Sequence, residues 1–124
     1  MKRDLDLVRA ILITAENSDE PIGDDILLSI EPDARKMAYH LELMQAHGLI
    51  NVTAKYDGLN KTPYMLELHS VTWEGYDYLD AIRSARVWDK AKASMLGALG
   101  EVSLSLAKET SLMVARQLIQ QQLS

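Results

Sequence analysis

The chain has 124 residues, with 13 Lys and Arg against 18 Asp and Glu and no Cys. That length fits one domain with at most a helical appendage, and the missing Cys excludes disulfides, thiolate zinc sites, iron–sulfur clusters and cysteine nucleophiles. A net charge of -5 argues against unaided binding to nucleic acid or an anionic membrane, because phosphate neutralisation needs clustered Lys and Arg. No apolar run approaches the ~20 residues needed to cross a bilayer. No apolar segment of a secretory signal follows Lys2 and Arg3. A cytoplasmic protein that does not engage a membrane is expected.

Leu5, Val8, Ile11, Leu12 and Ala15 recur at helical spacing and predict a first helix over 4–16, with Asp4 and Asp6 at its dipole-positive end. Asn17 to Gly23 is dense in turn residues. Ile26-Leu27-Leu28-Ser29-Ile30 is short and apolar. Period alone leaves residues 24–31 open between strand and helix, and a short strand is the preferred reading. A second helix is expected from Pro32 to about His47, with Ala34, Met37, Ala38, Leu41 and Met44 on its buried face. Gly48 is its expected left-handed cap, sealed by Leu49.

From Leu49 the period changes to two. Ile50, Val52, Ala54 and Tyr56 share one face, Asp57-Gly58 signals a turn, and Tyr64, Leu66 and Leu68 alternate on the return. These predict a β-hairpin. Thr72 can cap a third helix, whose Trp73, Tyr76, Leu79 and Ile82 at spacing three are expected to bury one face. Gly75 in its first turn predicts a close approach. Val87 and Trp88 begin a short helix towards Gly97, Gly100 punctuates, and Ser103 can cap a last helix carrying Leu104, Leu112, Ala115, Ile119 and Leu123.

Helix, short strand, helix ending in Gly-Leu-Ile, hairpin and helix is the order of a winged helix-turn-helix. The run from Tyr39 to Ile50 resembles the junction of recognition helix and wing in many small bacterial regulators, and Val71-Thr72-Trp73-Glu74-Gly75 resembles the segment that follows their wing. The opening from Met1 to Arg9, the Ala38-Tyr39-His40-Leu41 helix, the run from Thr72 to Arg83 and Val87-Trp88-Asp89-Lys90 together resemble a domain-of-unknown-function family of short proteins from bacteria and their phages. That resemblance implies a winged-helix-like fold and a bacterial or prophage setting. It supplies no catalytic or binding residues. With only 24–31 before the recognition-like helix, the usual positioning helix is expected to be truncated or absent.

The fold class expected is α+β: a winged-helix-like domain over 1–85 and a helical C-terminal extension over 86–124. Its candidate DNA contacts are Arg35, Lys36, Tyr39 and His40 on the 32–47 helix, with Lys55 and Lys61 in or beside the 56–63 wing. The candidate protein-binding surface is Tyr39, Leu43, Trp88, Leu112 and Ile119. His40 and His47 lie about 10 Å apart along a helix axis, too far for one zinc. Glu74, Asp77 and Asp80 read as a solvated acidic face. No nucleophile elbow, phosphate-cradling loop or dinucleotide fingerprint is present, so neither catalysis nor a metal or cofactor is expected.

Two functions fit. One is a DNA-associated regulator of phage or prophage origin, dimeric through the C-terminal helix. The other is a non-enzymatic module that binds a host or phage protein. Residues 1–85 hold 8 basic and 15 acidic residues, whereas 86–124 hold 5 and 3. Any DNA-bound form is therefore expected to draw on the extension.

Overall fold

The computed structural model describes residues 1–58, 61–98 and 103–123, of which 96–98 and 123 by backbone alone. The described elements are α1 (Leu5–Glu16), α2 (Asp24–Ile30), α3 (Ala34–Ala46), β1 (Ile50–Tyr56), β2 (Pro63–Val71), α4 (Trp73–Ile82), α5 (Ala85–Ala98) and α6 (Leu104–Leu123). This is an α+β fold in a winged-helix-like order, closed by C-terminal helices. Asp4 caps α1 by accepting from the Leu7 N–H at 3.1 Å. Leu7, Val8, Ile11, Leu12 and Ala15 form its buried stripe.

The expected strand over 24–31 is a helix. Gly23 precedes α2, and Asp24 and Asp25 occupy the first turn, where the helix dipole favours carboxylates. The Asp24 carboxylate also accepts the Leu66 N–H of the hairpin, which fixes the start of the helix against the sheet. The strand-like contribution falls two residues earlier. Ile22 exchanges both backbone hydrogen bonds with Leu68, at 2.9 and 2.8 Å. The positioning helix is therefore present, two turns long, and Glu31-Pro32-Asp33 joins it to α3. Pro32 lies outside α3, whose N-cap is Asp33, accepting from the Arg35 and Lys36 N–H groups.

The end of α3 follows expectation. Gly48 takes φ +83°, the Leu49 N–H returns to the Met44 carbonyl at 2.9 Å, and Leu49 is buried. The hairpin pairs Ile50 with Val71, Val52 with Leu68 and Ala54 with Leu66, with irregularities after Asn51 and after Lys55. Thr72 caps α4 by accepting from the Gly75 N–H at 3.0 Å. A Cβ on Gly75 would stand 2.0 Å from the Leu49 carbonyl oxygen, so only Gly lets α4 start against β1.

The predicted buried face of α4 is rotated. Each step of three residues turns backwards by about 60°, so Trp73 and Ile82 lie on opposite sides of an ideal helix. The buried set is Gly75, Tyr78, Leu79, Ala81 and Ile82, while Trp73 is 80% exposed and Tyr76 44%. Arg9 of α1 donates to the carbonyls of Ile82 and Arg83 at 2.9 and 2.7 Å, capping the C-terminal end of α4.

α5 runs through Gly97, and Gly100 lies outside the described residues. α6 packs on α4 and α5. Ser103 caps it by accepting from the Leu106 N–H, and the Tyr78 hydroxyl donates to the Leu104 carbonyl at 2.8 Å. Trp88, Ala91, Met95, Leu104 and Ala107 join the same apolar core as α1 and α3. Among the described residues no helix is long and apolar enough to cross a membrane.

Candidate nucleic-acid interface

α3 and the hairpin diverge from the Gly48-Leu49 turn and then run side by side. Polar side chains along one flank of α3 lace them together. Gln45 accepts the Val52 N–H at 2.7 Å, the Glu42 carboxylate accepts the Tyr56 hydroxyl, and the Arg35 Nε donates to the Thr62 hydroxyl at 2.9 Å. Between the two elements lies a groove of about 560 Å³, with Arg35 and Lys61 on its walls beside Tyr39, Tyr56, Asp57 and Met1. Burial, then the Glu42 hydrogen bond and charge, push the Tyr56 phenol from 10.0 to about 12.

The candidate DNA contacts divide. Arg35 and Lys61 face the groove, Lys61 with a left-handed φ of +51° at the wing. Lys55 is exposed on β1 and Tyr39 is half-buried. Wing residues 59 and 60 lie outside the described residues. Lys36 is held between Glu31 at 3.0 Å and Asp4 at 3.2 Å. Hydrogen bonds to Glu31 and then Asp4 raise its ammonium above the ordinary lysine range.

His40 is no base reader. Its side chain is fully buried, and Nε2 accepts the Asp4 backbone N–H at 2.7 Å while Nδ1 donates to the Lys36 carbonyl at 2.8 Å. It joins the start of α1 to the middle of α3. The reason is angular: His40 lies about 40° beyond Met44 at the edge of the buried face, and the chain entering α1 covers that flank.

The candidate protein contacts divide as well. Leu112 and Ile119 are exposed at 36% and 56%, and Leu43 is half-buried. Trp88 is not available, being 2% exposed, and its indole N–H donates to Asp6 at 2.8 Å. Lys92, one turn on, donates to the same oxygen. Burial opposes ionisation of Asp6, but the hydrogen bonds from Lys92 and Trp88 outweigh it and lower its carboxyl below the ordinary range. Among the described residues no group of three or more His, Asp or Glu is placed to hold a metal ion.

The family described as "Hypothetical protein (DUF2513)" matches residues 2–99 of this chain. The chain belongs to the DUF2513 family. The match spans α1 to α5, and so includes both walls of the groove and the His40 bridge. A Haemophilus influenzae protein named "Uncharacterized protein" is 33% identical over 125 aligned positions, covering 96% of this chain and 99% of that relative. α6 lies beyond the DUF2513 match. No solved structure matches the chain.

Tyr56 and Glu42 on the groove wall, and Thr62 as the acceptor of the Arg35 Nε, are the residues that sequence reasoning missed. A partial signal existed: the Gly48-Leu49 turn sets α3 beside β1, so polar residues on that flank of α3 face the strand, but the different rises of helix and strand keep the individual pairs out of reach of sequence counting. Gln45 meets Val52, Glu42 meets Tyr56 and Arg35 meets Thr62.

Proposed function

We propose that this protein is a DNA-associated regulator of the kind carried by bacteria and their phages, meeting duplex DNA through α3 and the wing. The observation that carries the reading is the unbroken helix–turn–helix of α2 and α3, with a wing laced to α3 and Arg35 and Lys61 at their seam. A helix set in this way can enter a major groove while the wing meets the backbone. Arg35, Lys55 and Lys61 contact phosphates in this reading, and Tyr39 lies nearest the bases. The exposed Leu112 and Ile119 on α6 support pairing with a second copy, which would present two such units.

The test is anisotropy of labelled duplexes, including the DNA flanking its own gene, at stepped salt. Affinity is expected to fall steeply with salt and to weaken in Arg35→Ala, Lys55→Ala and Lys61→Ala. Absence of binding to any duplex at low salt overturns the reading.

A second reading is favoured by the pairing of Lys36 with two carboxylates and by Glu42 and Asp57 beside the groove. The same surface would then receive a host or phage protein on Tyr39, Leu43 and Tyr56. Tyr39→Asp and Leu43→Asp would abolish copurification of that protein while the fold is kept, and no duplex would bind.

A further inference from the structure

The far end of the molecule carries a different surface. Trp73 opens α4 almost fully in solvent, and Tyr76, one turn on, is also exposed. Solvated indoles are uncommon in a small fold and mark contact sites, because Trp and Tyr supply large contact area at little entropic cost. Tyr76 forms one wall of a groove of about 170 Å³, with Asp19 and Glu20 from the α1–α2 loop on another wall and Ser70 of β2 between. Asp77 stands beside Trp73 on α4 and is exposed, whereas Glu74 turns towards α6 and Lys108. Among the described residues no cation pairs with Asp19, Glu20, Glu74 or Asp77. His69, which also lines the groove, already faces Glu67 at 3.4 Å and the Thr53 hydroxyl. Arg83 is engaged by Glu16 and Asp80.

We propose that this aromatic and acidic face docks a basic segment of a partner protein, with one Arg or Lys stacked on Trp73 and a second entering the groove beside Tyr76. Charge complementarity selects the occupant. The three unpaired carboxylates of Asp19, Glu20 and Asp77 repel a phosphate backbone, and an apolar peptide would leave them desolvated without partners. A guanidinium meets both demands, since it stacks on an indole face and bonds a neighbouring carboxylate. Trp73 and Asp77 are i and i+4 on one helix, so one cation reaches both. The groove suits a single long side chain rather than a folded ligand. The surface sits at the base of the hairpin, roughly 25 Å along the strand from the wing. A basic partner can therefore be held without occupying the α3 groove.

The experiment titrates the full chain with capped tetra-arginine, tetra-lysine and tetra-glutamate peptides. Tryptophan fluorescence reports Trp73, because Trp88 is enclosed, and amide shifts map the contact. Tetra-arginine is expected to bind with shifts at 19–20 and 69–77, and tetra-glutamate is expected not to bind. Trp73→Ala and Tyr76→Ala should each weaken binding about fivefold, as should the pair Glu20→Gln with Asp77→Asn. Both aromatics are exposed, so these variants keep the fold, which circular dichroism verifies. Lys61→Ala is expected to leave peptide affinity unchanged. Equal affinity in the wild type and Trp73→Ala would reduce the attraction to the net charge of the chain and overturn the proposal. Shifts elsewhere, or a Trp73 signal that follows self-association and not peptide, would overturn it too. Duplex binding that survives Trp73→Ala separates this surface from the α3 groove.

Discussion

The Tyr56 hydroxyl donates to the Glu42 carboxylate, joining the end of β1 to the third turn of α3. The pair fixes how far the wing stands from the helix, and so the width of the groove that holds Arg35 and Lys61. Burial and Glu42 together hold the phenol protonated up to about 12. In Glu42→Gln the charge is lost while burial, the larger cause, remains, so the midpoint of phenolate absorbance is expected to move only part of the way down from about 12. Because the folded value is the raised one, this contribution to stability is complete below pH 10.0 and is lost as pH rises through about 12. An unchanged midpoint in Glu42→Gln would mean that the contact does not form in solution.

His40 makes a second prediction. The Asp4 N–H has the buried imidazole of His40 as its acceptor. His40→Leu keeps the volume and removes the acceptor. A loss of about 1–3 kcal/mol is expected, the cost of stranding a buried donor. Urea unfolding checks the magnitude. Hydrogen exchange should show the first turn of α1 opening before the rest of the core. If His40 were instead a DNA-reading side chain, His40→Leu would spare stability and lower duplex affinity.

Gly75 is a third test, and its outcome follows from backbone alone. The Leu49 carbonyl that a Cβ would strike also accepts the Thr72 N–H at 2.9 Å. Relief in Gly75→Ala must therefore break a hydrogen bond or separate α4 from β1. A destabilisation of about 2–3 kcal/mol is expected. A helix-propensity gain alone would stabilise the variant, so the sign of the change in urea midpoint decides.

Much of this fold is written in local chemistry. Gly48 with Leu49, Thr72 with Gly75, and the alternation from Ile50 identify the hairpin and its neighbouring helices before any tertiary contact is known. Residues 24–31 were not legible in this way. A run of four apolar residues reads alike in strand and helix, and the deciding contact, Asp24 to the Leu66 N–H, spans 42 positions. The orientation of α4 was misread because spacing of three drifts off a 3.6-residue turn. Arg35 and Lys61, chosen from charge and position, line the groove. His40 and Trp88 are buried against Asp4 and Asp6, and Lys36 is paired with Asp4 and Glu31, engagements that only folding reveals.

Asp6 ties α1 to α5 and carries a pH prediction. Although burial resists its ionisation, Lys92 and Trp88 hold the carboxyl below its usual 3.8. A depressed folded value gives stability that is present above the unfolded value and disappears as pH falls through the folded one. Asp6→Asn preserves the acceptor oxygen and removes the titration. Wild type is expected to exceed Asp6→Asn in urea midpoint at neutral pH, with the difference closing below pH 3.8. A gap independent of pH would assign the effect to packing rather than to charge.

Lys36 and Lys61 provide the contrast that separates the two functional readings. Lys36 is already neutralised by Glu31 and Asp4, so it releases few counterions on meeting a phosphate, whereas Lys61 is exposed at the groove mouth. If α3 and the wing bind duplex DNA, Lys61→Ala should lower the slope of log affinity against log salt by about 1, and Lys36→Ala should hardly change it. Lys36→Ala should instead lower stability, since Asp4 and Glu31 lose their shared cation. Equal loss of slope in both variants would mean that the clamp opens on binding. No slope in any variant, with a protein partner lost in Tyr39→Asp, would assign the same groove to protein recognition.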